Sequence, residues 1–139
     1  MLRKRPLTAE QRRLNDEREE WAARYNRCWG CGRILQGRYG AVWVEEASQV
    51  HEIIGRPKDW RDPRNYSFFC NTCHTNGADA KAGGLTLNAV LTLKLLLDPT
   101  NYDLDWIREH HFRKGMLPEP LPSVCDWLFS DAAINERQG

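Results

Sequence analysis

A chain of 139 residues has room for one domain, or for one small domain with helical extensions. Its net charge of +1 gives no overall bias toward nucleic acid. No apolar stretch approaches the ~20 residues that a membrane span requires, so a membrane partner is not expected. The charge is unevenly placed: residues 1–33 hold nine Lys/Arg against five Asp/Glu, and residues 98–139 hold four against eight. A basic head and an acidic tail can orient a polyanion, or can simply be two solvated helix faces.

In chain order, the charged start from Met1 to Pro6 carries no secretory pattern. Thr8 with Gln11 three residues on forms a capping box. Leu14, Trp21, Ala22 and Tyr25 mark one face of a helix expected from about residue 9 to about 26. Glycines cluster from Cys28 to Gly40, as a chain turning tightly around a metal requires. Ala41–Val44 and Val50–Ile54 are short and β-prone, and are expected to pair as a hairpin. Gly55, Pro57 and Pro63 make residues 55–65 a loop. Tyr66–Phe69 leads into a helical turn near Cys70. Thr86–Leu97 is an apolar helix stopped by Asp98-Pro99. Asp103 caps a helix running to about Phe112. Pro118, Pro120 and Pro122 form a linker, and a last short helix is expected over residues 123–134. The segments are thus an N-terminal helix over 1–27, a central module over 28–84 and a helical extension over 85–139.

The five cysteines fall as two Cys-x-x-Cys pairs, Cys28/Cys31 and Cys70/Cys73, with Cys125 alone. Disulfide frameworks favour an even count and a leader sequence. This pattern instead fits thiols kept reduced for a metal, in a soluble, cytoplasmic protein. Four thiols in two tight pairs are a tetrahedral zinc set, with 38 residues between the pairs. A redox role for one pair is the alternative, but neither pair sits in a βαβ setting. Cys125, beside Val124, Trp127 and Leu128, reads as a buried inert thiol.

Between and beside the thiols lie His51, Glu52, Asn65 and His74. His51 ends a β-prone run, Asn65 precedes a short apolar stretch, and His74 follows Asn65 by nine residues, directly after Cys73. This pattern resembles the HNH endonuclease family in its zinc-bearing, ββα-metal form, common in phages and mobile elements. The resemblance covers about residues 28–77. It implies an α+β fold, a small zinc-stabilised ββα-metal module with flanking α-helices, in a bacterial or phage-infected cell. It further implies a metal-dependent DNA endonuclease with structural zinc on Cys28, Cys31, Cys70 and Cys73. In that family one His is general base, the Asn orients it, and the final His holds a catalytic divalent ion such as Mg2+.

His51, Glu52, Asn65 and His74 are accordingly the candidate catalytic residues, with His51 and His74 as candidate ligands of the second ion. Imidazole suits the base because its ordinary pKa lies nearest neutrality. The family's Asp-His stands here as His51-Glu52, so either His51 is the base, or Glu52 fills that slot and His51 binds metal. Neighbouring strand residues face opposite ways, so the two cannot share one face.

The loop carries Arg56, Lys58, Arg61 and Arg64, placed to hold phosphates of DNA, and Trp60, which could stack on a base. Val90, Leu91, Leu93, Leu95, Leu96 and Leu97 put apolar residues on most sides of their helix. They belong to the core, or form a homodimer or protein-partner surface. The alternative to a nuclease is a non-catalytic zinc module of the same fold that binds nucleic acid or protein.

Overall fold

The computed structural model describes residues 6–39, 42–45, 50–54, 61–70, 73, 85–110 and 117–130. The fold is α+β. Helix α1 (Ala9–Ala22) opens with the capping box: Thr8 Oγ1 accepts the Gln11 N–H at 3.1 Å, and Gln11 Oε1 accepts the Thr8 N–H at 3.0 Å. It stops earlier than the apolar spacing suggests. The Ala22 and Tyr25 carbonyls are taken by the Gln36 side-chain amide, and the Asn26 carbonyl by the Leu35 N–H at 2.7 Å. The chain beyond Ala22 is thereby bound sideways to the next element instead of winding on.

The strand pairing differs from the expected hairpin. Strand β1 (Gln36–Tyr39) pairs antiparallel with β2 (Val42–Glu45), from Gln36 opposite Glu45 to Tyr39 opposite Val42. Strand β3 (Val50–Glu52) pairs instead with β4 (Tyr66–Phe68), Val50 facing Phe68, His51 facing Ser67 and Glu52 facing Tyr66. Strand β2 thus pairs with the segment that precedes it in sequence instead of the one that follows. The short run 66–68 is the partner left for β3. Among the described residues the result is two separate two-stranded ladders.

Helix α2 (Leu87–Leu97) is capped by Thr86, whose hydroxyl accepts the Ala89 N–H at 3.1 Å. Helix α3 (Leu104–His110) is capped by Asp103 Oδ1 on the Trp106 N–H at 3.0 Å. Ser123–Phe129 forms a 3-10 helix. Residues 111–116 and 131–139, where the sequence extends the last two helices, lie outside the described residues.

One hydrophobic core draws on all three segments: Trp21 from α1, Trp29 and Leu35 from the first thiol region, Tyr66, Phe68 and Phe69 around β4, Leu91 and Leu93 from α2, Ile107 from α3, and Leu128. Its centre is aromatic. Trp21 meets Trp29 and Tyr66 edge-on, with ring centroids 5.8 and 5.4 Å away, and Trp29 meets Phe69 at 6.1 Å, within the range favoured by aromatic quadrupoles. Among the described residues no helix is long and apolar enough to cross a membrane.

Candidate metal centre and the adjoining strand pair

The two thiol pairs converge. The Sγ atoms of Cys28, Cys31, Cys70 and Cys73 all lie within 4.8 Å of one another, and those of Cys31 and Cys70 are 3.9 Å apart. A tetrahedral zinc with bonds of about 2.3 Å places its sulfurs roughly 3.8 Å apart, whereas a disulfide requires about 2.05 Å. The four thiols therefore suit a metal ion. All except the half-buried Cys31 are buried.

The backbone builds this nest. Cys28 N–H donates to Arg33 O at 2.8 Å and Gly32 N–H to Cys28 O at 2.9 Å, closing the first knuckle. Gly32 has φ +77°, a left-handed turn that glycine adopts without steric cost. Trp29 N–H donates to Phe68 O at 2.8 Å, which welds the knuckle to the end of β4. The Cys70 N–H then points at Cys28 Sγ at 3.3 Å, and the Cys73 N–H at Cys70 Sγ at 3.4 Å, contacts that stabilise charge on sulfur.

The thiols' own electrostatics call for a cation. Hydrogen bonds from Cys28 and then Cys73 pull Cys31 down to about 2. Cys28 is pushed up to about 12, foremost by its bond to Cys31. Cys73 is raised by its bonds to Cys28 and Cys31. Cys28 and Cys73 are thus held protonated by their neighbours, and charging them needs a positive ion among the thiols. Cys125 is buried outside the group, and burial above all pushes its thiol up to about 11.

Trp127 completes the knuckle from 98 residues away. Its Nε1–H donates to Trp29 O at 3.2 Å and Gly30 O at 3.1 Å. Its ring lies on Gly32 so closely that a Cβ there would sit 2.5 Å from it. The local sequence carries only a weak signal for this contact: an aromatic near the C-terminus and a glycine after the second thiol.

β3 and β4 present His51 and Glu52 to opposite faces. Glu52 shares its face with Tyr66 and α1: Arg18 Nη2 stands 3.7 Å from Glu52 Oε1, donates to Val50 O at 2.8 Å and lies over the Tyr66 ring at 5.9 Å. His51 lies on the other face with Ser67, whose hydroxyl donates to His51 O at 2.8 Å. His51 is only 8% exposed. His74 lies outside the described residues.

Asn65 is fully buried and clamps the strand that leaves β3. Its Oδ1 accepts the Ile54 N–H at 2.8 Å and its Nδ2 donates to Ile54 O at 3.4 Å, while its own carbonyl accepts the Ile53 N–H at 2.8 Å. Arg64 is engaged by its neighbours while staying partly exposed: it forks onto Asp62 at 2.8 and 2.9 Å, reaches Asp103 at 3.5 Å and stacks on Trp106 at 4.5 Å. Arg61 is half-buried. Arg56, Lys58 and Trp60 lie outside the described residues.

A buried polar hub had no counterpart in the sequence reading. Lys94, inside the apolar helix α2, is fully enclosed, and its ammonium donates to Pro63 O at 2.7 Å, Tyr66 O at 2.8 Å and Asp98 Oδ2 at 2.6 Å. Asp98 also accepts Trp21 Nε1–H at 2.9 Å and the Asn101 amide at 3.0 and 3.1 Å. The hub ties α1, α2 and β4 together behind the strand pair. Only the i, i+4 spacing of Lys94 and Asp98 hinted at it.

No protein-family model matches the chain, and no curated protein or solved structure matches it.

Proposed function

We propose that this protein is a metal-dependent DNA endonuclease of the HNH type, built on a structural zinc held by four cysteines. The reading is carried by one observation: the four-thiol cluster is fastened to the end of the very strand pair that bears His51. Cys70 follows β4 by two residues, and Cys73 immediately precedes His74. A zinc there fixes the root of both histidines at once.

The face alternation supports His51, not Glu52, as the functional member of its pair, because Glu52 is engaged with Arg18 on the α1 side. His51 is then the group that takes a proton from water or binds the second ion, and His74 the ligand that the family pattern assigns. When bound, a divalent ion such as Mg2+ supplies positive charge to the scissile phosphate and the departing oxygen. The test is nicking of supercoiled plasmid by zinc-loaded protein with magnesium, manganese or nickel. Absence of cleavage with all three contradicts the reading.

Two observations favour the second reading, a non-catalytic zinc module that binds nucleic acid or protein. The Asn65 amide is committed to the Ile54 backbone, and Arg64 is committed to Asp62, Asp103 and Trp106. On this reading DNA binding is salt-dependent and no divalent ion produces cleavage.

A further inference from the structure

Between Glu20 and Glu45 the chain contains no acidic residue and four arginines: Arg24, Arg27, Arg33 and Arg38. The fold gathers that stretch onto one structure. The chain after α1 runs beside the start of β1, held by the Arg27–Ile34 bridge, by Leu35 N–H on Asn26 O, and by the Gln36 amide on Ala22 O and Tyr25 O. Arg24 and Arg33 are exposed and Arg27 is half-buried at this base. Arg38 is the register partner of Trp43 farther along the ladder. Acidic charge returns only at Glu45, opposite Gln36.

Trp43 is 66% exposed, although tryptophan is among the side chains a fold gains most by burying. The β1–β2 ladder has no third strand among the described residues. It stands as a ribbon with an open aromatic, Trp43, and with arginines beside the Gln36–Glu45 rung at its base.

We propose that the β1–β2 ribbon is a contact surface for an unpaired stretch of nucleic acid, Trp43 stacking on a base while the arginines at its base meet phosphates. The chemistry matches on both counts: an aromatic face stacks on any base, and guanidinium forks fit phosphate oxygens. The proposal rests on nucleic acid as the partner in the function proposed above. It adds a second contact surface, distinct from the loop of Arg56, Lys58, Arg61 and Arg64.

The test is binding of a labelled single-stranded oligonucleotide, and of the matching duplex, to the zinc-loaded full chain without added magnesium or manganese. Fluorescence anisotropy across a salt series reads the affinity. Trp43→Ala is expected to weaken single-strand binding roughly tenfold, with zinc content unchanged, and Trp43→Phe to keep most of it. Replacing Arg24 and Arg33 together by Gln is expected to flatten the salt dependence by about one unit of log–log slope. Wild-type protein that does not bind the oligonucleotide, or Trp43→Ala protein that binds as well as wild type, overturns the proposal. So does a Trp43→Ala variant that loses self-association in sedimentation while keeping its DNA affinity, which assigns the ribbon to contact between copies. Trp43-dependent binding without plasmid nicking supports the ribbon and sinks the nuclease reading. Nicking with binding indifferent to Trp43 does the reverse.

Discussion

Lys94 Nζ lies 2.6 Å from Asp98 Oδ2 with both side chains closed off from solvent. Every ammonium proton has an acceptor, and Trp21 Nε1–H completes the carboxylate's shell. A buried pair so fully bonded is tolerable, but half of it is not. Lys94→Met is expected to destabilise the protein by about 3–5 kcal/mol, because Asp98 is left charged and enclosed. Urea unfolding of the zinc-loaded protein measures this. A loss under about 1 kcal/mol would show that the pair is not buried in solution.

The same pair sets a pH dependence. Burial pushes the Asp98 carboxyl up, but the bonds and charge of Lys94, with Trp21 and Asn101, outweigh it and hold the group below its ordinary 3.8. A carboxylate with a depressed folded pKa binds fewer protons folded than unfolded as pH falls toward that value. Its stabilisation is therefore complete above the ordinary pKa, about pH 4, and is lost as pH falls through the folded pKa. Lys94 is lowered to about 8 from 10.5, chiefly by burial. Between those values the unfolded lysine carries the proton that the folded one has released, so this group's contribution rises with pH across that window. Unfolding curves from pH 3 to 10 should show a shallower acid limb in Asp98→Asn and lose the alkaline rise in Lys94→Met.

Which parts of this could be seen in the sequence follows from range. The caps at Thr8 and Asp103 were legible because an oxygen and an N–H three residues apart decide them. The thiol set was legible because two Cys-x-x-Cys pairs have few other uses. The ladders were not. The β-prone runs at 41–44 and 50–54 read as partners, yet Gln36–Tyr39, which carries a glycine and reads as part of the knuckle, is the strand that Val42–Glu45 meets. Lys94 hid within a leucine-rich run, and its partners lie on α1, β4 and the turn at Pro63. Trp127 and Gly32 are 95 positions apart, and only packing reveals them. His51 and Glu52 could be assigned to opposite faces from alternation alone, but the face that meets Arg18 required the fold.

Gly32→Ala should be costly. A Cβ at φ +77° carries the left-handed penalty of about 1–2 kcal/mol, and it would also press into the Trp127 ring at 2.5 Å. Displaced Trp127 loses its bonds to Trp29 O and Gly30 O. Chelator competition should therefore strip metal from Gly32→Ala and Trp127→Ala more readily than from wild type. Equal metal retention would show that the C-terminal tryptophan does not support the knuckle.

Cobalt is expected to replace zinc at one equivalent per chain with intense thiolate charge-transfer bands and tetrahedral visible bands. Substituting any of Cys28, Cys31, Cys70 or Cys73 by Ser should weaken or remove them, and Cys125→Ser should leave them unchanged. A spectrum that responds to Cys125, or two metal ions per chain held by separate thiol pairs, would contradict the single cluster.

Asn65→Ala removes the two side-chain bonds to the buried Ile54 peptide groups and is expected to cost about 1–3 kcal/mol. Thermal unfolding should register this whether or not the protein cuts DNA. Unchanged stability with lost activity would assign Asn65 to the reacting centre instead of to the strand.

The most direct measurement is plasmid nicking by wild-type and His51→Ala protein, each verified to carry one zinc. The expected result is conversion of supercoiled to open-circular DNA by wild type with magnesium or manganese, and a loss of at least about 100-fold in His51→Ala. Cleavage undiminished in His51→Ala, or no cleavage by zinc-loaded wild type with any divalent ion, would contradict it.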